Sequence, residues 1–502
     1  MTVPLDLRDR VLSRRSPNPD LRQKIISAVG WSMITKIAFQ IVTWAMTLVV
    51  IRLLSAEDYG LMAESQLFVN FLSGLAERGL GEALVQQSNT PKPIVSQVFG
   101  TLLVTSTALT VLMMLSAYPL ADWYDDPRLV ALIQVSSLAF LFNSLTAVPR
   151  AALTKALRLQ SALIIDLVSA LIGAAVVIVL AYRGYGVWSL MSGWLATNIL
   201  KLLGFAVIHS RQYVLPRLGF TGLGPLFSFS LYRTLECAMW MAYISADIVV
   251  ISRYLSPAAL GVYVVALNFV GAPLNKIAPI INQTAFPAFA MLQQRREQAQ
   301  FYALKALRIM AAIAVPVFFG ICATAPEVVD LVFGPKWAEA KSVLPILSLA
   351  IVFRAILLIF PNYLQGIGDS RAGFWCTASG VLIFPPLFVL GCQWGLQGVA
   401  CAWLAGYPLF FLVHALIASR RGGLQLKALL MAPIRPVVAG IIMLAAVAAT
   451  RMLLPSNLTA MSELGIFTIV GATTYCAVLL LVFRTLATEM LRVVHRTPVP
   501  AS

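Results

Sequence analysis

The feature that most constrains this chain is a succession of apolar runs long enough to cross a bilayer, since about twenty apolar residues make one spanning helix. Fourteen such windows follow one another, near 25–54, 60–87, 94–118, 129–153, 160–182, 186–209, 225–255, 260–291, 304–324, 343–364, 372–390, 395–417, 428–454 and 464–483. They take up most of the 502 residues, only 12% of which are charged, and the mean hydropathy is +0.84. A water-soluble domain carries about twice that charge. The sequence therefore predicts an all-α polytopic membrane protein of about fourteen transmembrane helices. The first apolar run is far longer than the roughly 7–15 residues of a cleaved signal peptide, so it is expected to stay as a helix.

The net charge of +16 raises the question of nucleic acid, and the position of the charges answers it. With the N-terminus cytoplasmic, 24 Lys and Arg fall in cytoplasmic segments, among them Arg8, Arg10, Arg14, Arg15, Arg22 and Lys24, and only 7 in the opposite loops. Those opposite loops hold Glu57, Asp58, Asp122, Asp125, Asp126, Glu327, Asp330, Glu339 and Glu463. This bias follows the positive-inside rule and predicts both termini in the cytoplasm. It accounts for the charge without a nucleic-acid partner, for which no motif is present.

An internal repeat divides the chain. Arg52-Leu-Leu-Ser-Ala-Glu-Asp-Tyr-Gly60 recurs as Arg253-Tyr-Leu-Ser-Pro-Ala-Ala-Leu-Gly261, Ser137-Leu-Ala-Phe140 as Ser348-Leu-Ala-Ile351, and Trp194-Leu-Ala196 as Trp403-Leu-Ala405, in one order and at nearly one offset. Six spans separate the copies. An even number means that both units cross in the same sense, as in transporters whose halves rock about a midplane site. The expected organisation is a basic N-terminus over 1–24, an amino-terminal lobe over 25–210, a carboxy-terminal lobe over 224–420, two further helices over 427–484 and a cytoplasmic tail over 485–502.

Ionisable residues inside spans cost about 2.5–3.5 kcal/mol each at a helix centre and mark functional sites unless they pair or reach the interface. Lys36 and Arg233 fall in the first helix of each unit, and Arg78 and Lys276 in the second, at offsets of 197 and 198. With Arg354 they form a candidate cationic lining for a substrate cavity, suited to an anion and, through the guanidinium fork, to phosphate oxygens. Glu77, Asp166 and Glu236 either balance these cations or carry coupling protons, and their spacing does not choose between the two roles. Gly74, Gly79 and Gly81 in the second span and Gly271, Pro273, Pro279 and Pro287 in the eighth fit either bent helices beside a cavity or close helix packing.

No metal site is visible. His209, His414 and His495 are far apart, and Cys237, Cys322, Cys376, Cys392, Cys401 and Cys476 lack paired spacing and read as small buried apolar residues. No cofactor is expected.

Several stretches are more specific than composition. Arg52–Met62 (RLLSAEDYGLM), Ala76–Gln87 (AERGLGEALVQQ), Ala259–Tyr263 (ALGVY), Phe286–Phe289 (FPAF) and Phe333–Trp337 (FGPKW) together resemble the polysaccharide transporter family. More closely, the chain is similar to the colanic-acid-type Wzx flippases of the multidrug, oligosaccharidyl-lipid and polysaccharide exporter superfamily, from about residue 25 to 485. The resemblance implies two parallel six-helix lobes plus two C-terminal helices in a bacterial inner membrane. It also implies a substrate, undecaprenyl-diphosphate-linked oligosaccharide, turned to the periplasmic leaflet by alternating access, with membrane lipids and polymerase and export machinery as partners. One departure is that Ser245 stands two residues before Asp247 where relatives often carry Asn, so Asp247 inherits no role.

Two rival classes fit the sequence less well. A membrane glycosyltransferase, polymerase or ligase would use Glu57-Asp58, yet the second repeat replaces that pair by Ala258-Ala259 and the loops on that side are short. A drug or cation antiporter on the same fold would call for a net acidic cavity, whereas the spans hold six bases and six acids.

Overall fold

A computed structural model describes residues 43–86, 92–155, 159–209, 216–217, 235, 238–455 and 458–484, with the backbone alone over 75–86. Among the described residues there is no strand. Ten helical segments are long and apolar enough to cross a membrane, and one of them, Arg371–Gly422, covers two of the predicted spans. The protein is a multi-pass, all-helical membrane protein. Parts of the first, second and seventh predicted spans lie outside the described residues.

The first lobe is α1 (Thr43–Leu53), α2 (Ala56–Gln86), α3 (Lys92–Tyr124), α4 (Arg128–Ser136), α5 (Ala139–Lys155), α6 (Leu159–Tyr182) and α7 (Val187–His209). The fourth predicted span is thus two helices, α4 and α5, offset by a turn at Ser137. Its core runs through Leu61, Val69, Met113, Leu129, Ile133, Phe140 and Met191.

The second lobe is α8 (Ala246–Tyr254), α9 (Pro257–Met291), α10 (Arg296–Ala323), α11 (Ala340–Leu357), α12 (Ile359–Gly366), α13 (Ser370–Gly391) and α14 (Gly395–Gly422). It holds the larger core, which includes Phe318, Trp337, Phe360, Phe384, Phe388 and Trp403. The start of α9 is fixed by its sequence: Ser256 accepts from the Ala259 amide at 3.2 Å and Pro257 occupies the first turn, where its missing N–H costs nothing. Despite Pro273, Pro279 and Pro287, α9 continues as one helix of 35 residues.

Two more helices, α15 (Ile434–Leu453) and α16 (Ala460–Leu481), dock on α10. The Tyr475 hydroxyl donates to the Ala312 carbonyl at 3.0 Å, and Arg451 bonds both Glu327 oxygens at 2.9 Å. Cys376 and Cys392 are buried, but Cys401 and Cys476 are exposed. The reading of all six as buried fails there because these two helix faces turn outward, where an apolar residue is equally at ease against lipid.

Candidate functional site

The repeated segments identified in the sequence meet each other. A Cβ on Gly60 of α2 would collide with the Pro257 carbonyl of α9, and a Cβ on Gly261 of α9 would collide with the Ala56 carbonyl of α2. Residues 56 and 257, and 60 and 261, are related by the same offset of 201. The second helices of the two lobes therefore cross backbone to backbone, each glycine making room for the other chain. No larger residue allows that approach.

Around this crossing the lobes reach into one another reciprocally. Arg52 of the first lobe donates to the Leu331 and Val332 carbonyls of the second. Arg253 of the second lobe pairs with Asp125 of the first at 3.7 Å. The indole N–H of Trp337, itself fully buried, donates to the Ile51 carbonyl at 3.0 Å, and its ring meets Tyr59 edge to face. Trp337 is aimed by the turn at Gly334, whose φ of 91° lies in the region open to glycine. The loop over 325–342, read from the sequence as simply the longest on its side, is therefore a compact plug. Glu64 of α2 is also buried here, 2% exposed, with the Ser252 hydroxyl of α8 facing it from the other lobe. Outside the bilayer, Arg128 joins Asp126 at 2.7 Å and Glu57 at 2.7 Å. Hydrogen bonding to Arg128 holds the Asp126 carboxyl below its ordinary value, so the cluster keeps its charge. This is the acidic end of the molecule, and it is closed.

Toward the basic end, the same helix changes character. From Leu260 to Leu274 α9 is mostly buried or half-buried, with Asn268 exposed, and from Asn275 onward its residues are largely exposed. Asn275, Lys276, Pro279, Gln283 and Phe286 are all exposed and fall within about 100° of arc at 3.6 residues per turn. Phe289, just beyond the Asn275 edge of this arc, is buried against Tyr363 of α12. Polar side chains do not face hydrocarbon without a partner, so Asn275, Lys276 and Gln283 call for water or a polar ligand at this face.

The sequence-derived candidates fall unevenly on this geometry. Lys276 is on the exposed face of α9, with no ion pair among the described residues. Arg354 of α11 is half-buried in the second lobe, close enough for its charge to act on Tyr243, Asp247 and Tyr407. Asp166 pairs with Arg150 at 2.7 Å and with Lys201 at 3.8 Å, inside the first lobe. Lys36, Arg233 and Glu236 lie outside the described residues. Glu77 and Arg78 lie on α2, and their side chains are likewise outside the described residues.

Asp247 is the residue that sequence reasoning set aside. It is fully buried, and its carboxylate accepts from the Tyr263 hydroxyl at 2.6 Å, the Trp403 indole at 3.2 Å and the Ile248 amide at 2.7 Å. One acid thereby pins α8, α9 and α14 together. The visible signal was Trp403, which sits in a repeated Trp-Leu-Ala, but a pairing across 156 residues is not written in local spacing.

Comparison with known proteins follows from this architecture. A family model described as "Polysaccharide biosynthesis protein" matches residues 49–342, the stretch that contains both glycine crossings, Trp337 and the whole of α9. The chain belongs to that family. It is 26% identical over 370 residues to the succinoglycan biosynthesis transport protein ExoT of Rhizobium meliloti, covering 71% of this chain and 72% of that one. To the lipopolysaccharide biosynthesis protein WzxC of Escherichia coli it is 25% identical, covering 76% and 78%. Among solved structures, the lipid II flippase MurJ in an inward closed conformation aligns with a TM-score of 0.69 over 90% of this chain and all of that one, at 13% identity. An inward-facing multidrug transporter of the MATE family aligns at 0.58, covering 81% and 95% at 14% identity. The fold is that of polytopic exporters, and the relatives whose names state an activity are transporters rather than enzymes.

Proposed function

We propose that this protein is a flippase that carries polyprenyl-diphosphate-linked oligosaccharide repeat units, on undecaprenyl in bacteria, from the cytoplasmic to the periplasmic leaflet for polysaccharide assembly. The observation that carries the proposal is the division of α9 into a half packed closely on α2 at Gly261 and a half that exposes Lys276 beside Asn275 and Gln283. A membrane-embedded cation with no acid beside it is costly unless an anionic ligand completes it. A diphosphate supplies that ligand. Lys276 and Arg354, with Lys36, Arg78 and Arg233, hold the diphosphate during transit. Glu77 and Glu236 balance charge when the cavity is empty; Asp166 instead pairs with Arg150 and Lys201 inside the first lobe.

The sidedness follows from the 24 to 7 division of basic residues, by which the closed acidic end is periplasmic and the end toward which the exposed half of α9 runs is cytoplasmic. The structure then corresponds to the state that loads substrate. Reporter fusions after Arg217, Arg308 and Arg421 are expected to read as cytoplasmic and a fusion near Asp125 as periplasmic; the reverse at two of these sites overturns the assignment.

The names of the relatives support the substrate class: ExoT and WzxC are described as transport and biosynthesis proteins for succinoglycan and lipopolysaccharide, and Agl15 of Haloferax volcanii as a probable glycan biosynthesis flippase. Reconstitution in liposomes with a fluorescent polyprenyl-diphosphate oligosaccharide and a membrane-impermeant quencher tests it directly. Protein-dependent loss of protection is expected. Cation or drug efflux without lipid movement would instead make the protein an antiporter on this fold, and sugar transfer without movement would make it an enzyme.

A further inference from the structure

Resting on the flippase reading, we infer that the exposed face of α9 from Asn275 to Phe286 is the surface that recognises the glycan of the substrate, separately from the cations that hold its diphosphate. Three features of one face lead there. Asn275 and Gln283 present side-chain amides, each with donors and an acceptor, two turns apart on the exposed arc. Phe286, 43% exposed, presents an aromatic ring one turn from Gln283. Pro279 and Pro287 lack the N–H that would bond the carbonyls four residues earlier, and those carbonyls belong to Asn275 and Gln283.

The freed carbonyls discriminate between ligands. A diphosphate offers only acceptors and is repelled by a carbonyl oxygen, whereas a sugar hydroxyl donates to it and accepts from an amide N–H in return. The C–H face of a pyranose ring is apolar and covers an aromatic ring. Amide, carbonyl and ring thus match a neutral polyhydroxylated ligand, and Lys276 beside them matches the charge at its reducing end. The face from Asn275 to Phe286 is about 17 Å long at 1.5 Å per residue, room for several sugars in a row. Asn282, on the edge of this face, is already engaged, accepting from the Asn362 amide at 2.8 Å, which fixes the face against α12.

This surface sets which repeat unit is moved, because a site built on hydrogen bonds penalises a ligand that leaves them unmade. The test compares two fluorescent polyprenyl diphosphates in the same liposomes, one bearing a full oligosaccharide repeat and one a single sugar. For Asn275→Ala, Gln283→Ala and Phe286→Ala, the ratio of full-repeat to single-sugar flipping is expected to fall about five- to ten-fold, the weight of one or two lost hydrogen bonds at the amides and of a lost ring contact at Phe286. Lys276→Ala is expected to slow both substrates and leave the ratio near the wild-type value. Gln283→Asn, which keeps the amide, should recover part of the ratio. Equal loss for both substrates in the α9 variants, with protein still in the membrane, overturns the glycan assignment but leaves the flippase reading intact. Failure of the wild type to move either substrate overturns the flippase reading itself.

Discussion

Replacing Gly60 or Gly261 by Val is expected to abolish flipping while leaving the protein in the membrane. Each glycine faces a carbonyl of the opposite lobe so closely that even a Cβ has no room, and neither carbonyl belongs to a flexible side chain that can move aside. Relief requires the lobes to separate at the acidic end. Separation exposes Ser252, which is 7% exposed here, and breaks the reach of Arg52 to the 331–332 carbonyls and of Arg253 to Asp125. In a background with the native cysteines replaced, Ser252→Cys should therefore react faster with an impermeant maleimide added from the periplasmic side in the Gly60→Val and Gly261→Val proteins. Gly465→Val is the control, because nothing lies within 4 Å of a Cβ at that position, and it should transport normally. Normal flipping by either latch variant, or unchanged reactivity at 252, would mean that the crossing does not close during transport.

The two glycines also show what the sequence does and does not carry. That Arg52–Gly60 and Arg253–Gly261 are copies was legible from the residues. That the copies touch was not, because the even number of spans between them gives the direction of the axis that relates them and not its distance from either copy. The all-helical, multi-pass architecture was legible because hydrocarbon demands length and apolarity in every helix, and the ten long apolar segments among the described residues lie under predicted runs. The break of the fourth span into α4 and α5 was not, since neither Pro nor Gly marks Ser137.

Buried acids were the hardest to assign. Asp166 was grouped with the cavity cations by its hydropathic position, yet Arg150 and Lys201 on neighbouring helices pair with it. Asp247 reads in sequence as an acid near a span end, where water is close. Its burial is made tolerable by donors from Tyr263 and Trp403, and only the packed fold brings them together. Lys276 was singled out by its place in the second helix of its unit, opposite Arg78 in the repeat, and the structure exposes it on α9.

The cations carry the second large effect. A hydrogen bond to a charged group is worth about 1.5–3 kcal/mol, so Lys276→Ala is expected to lower flipping on the order of ten- to a hundred-fold, and Arg78→Ala or Arg233→Ala by at least as much, since each removes a two-pronged donor. Arginine-to-lysine replacement at 78 or 233 should rescue only part, because the ammonium keeps the charge and loses the fork. Arg354 separates two explanations within one lobe. If its charge serves only Asp247, then Arg354→Ala combined with Asp247→Asn should transport nearly as well as wild type, for the uncompensated acid is gone. If it holds phosphate, the double variant stays as slow as Arg354→Ala alone. The same logic applies to Arg78 with Glu77 and to Arg233 with Glu236: recovery on removing both partners marks an internal ion pair. Persistent loss is the expected result, because in transit the diphosphate takes the place of the carboxylates and removing those acids does not restore the cations it needs.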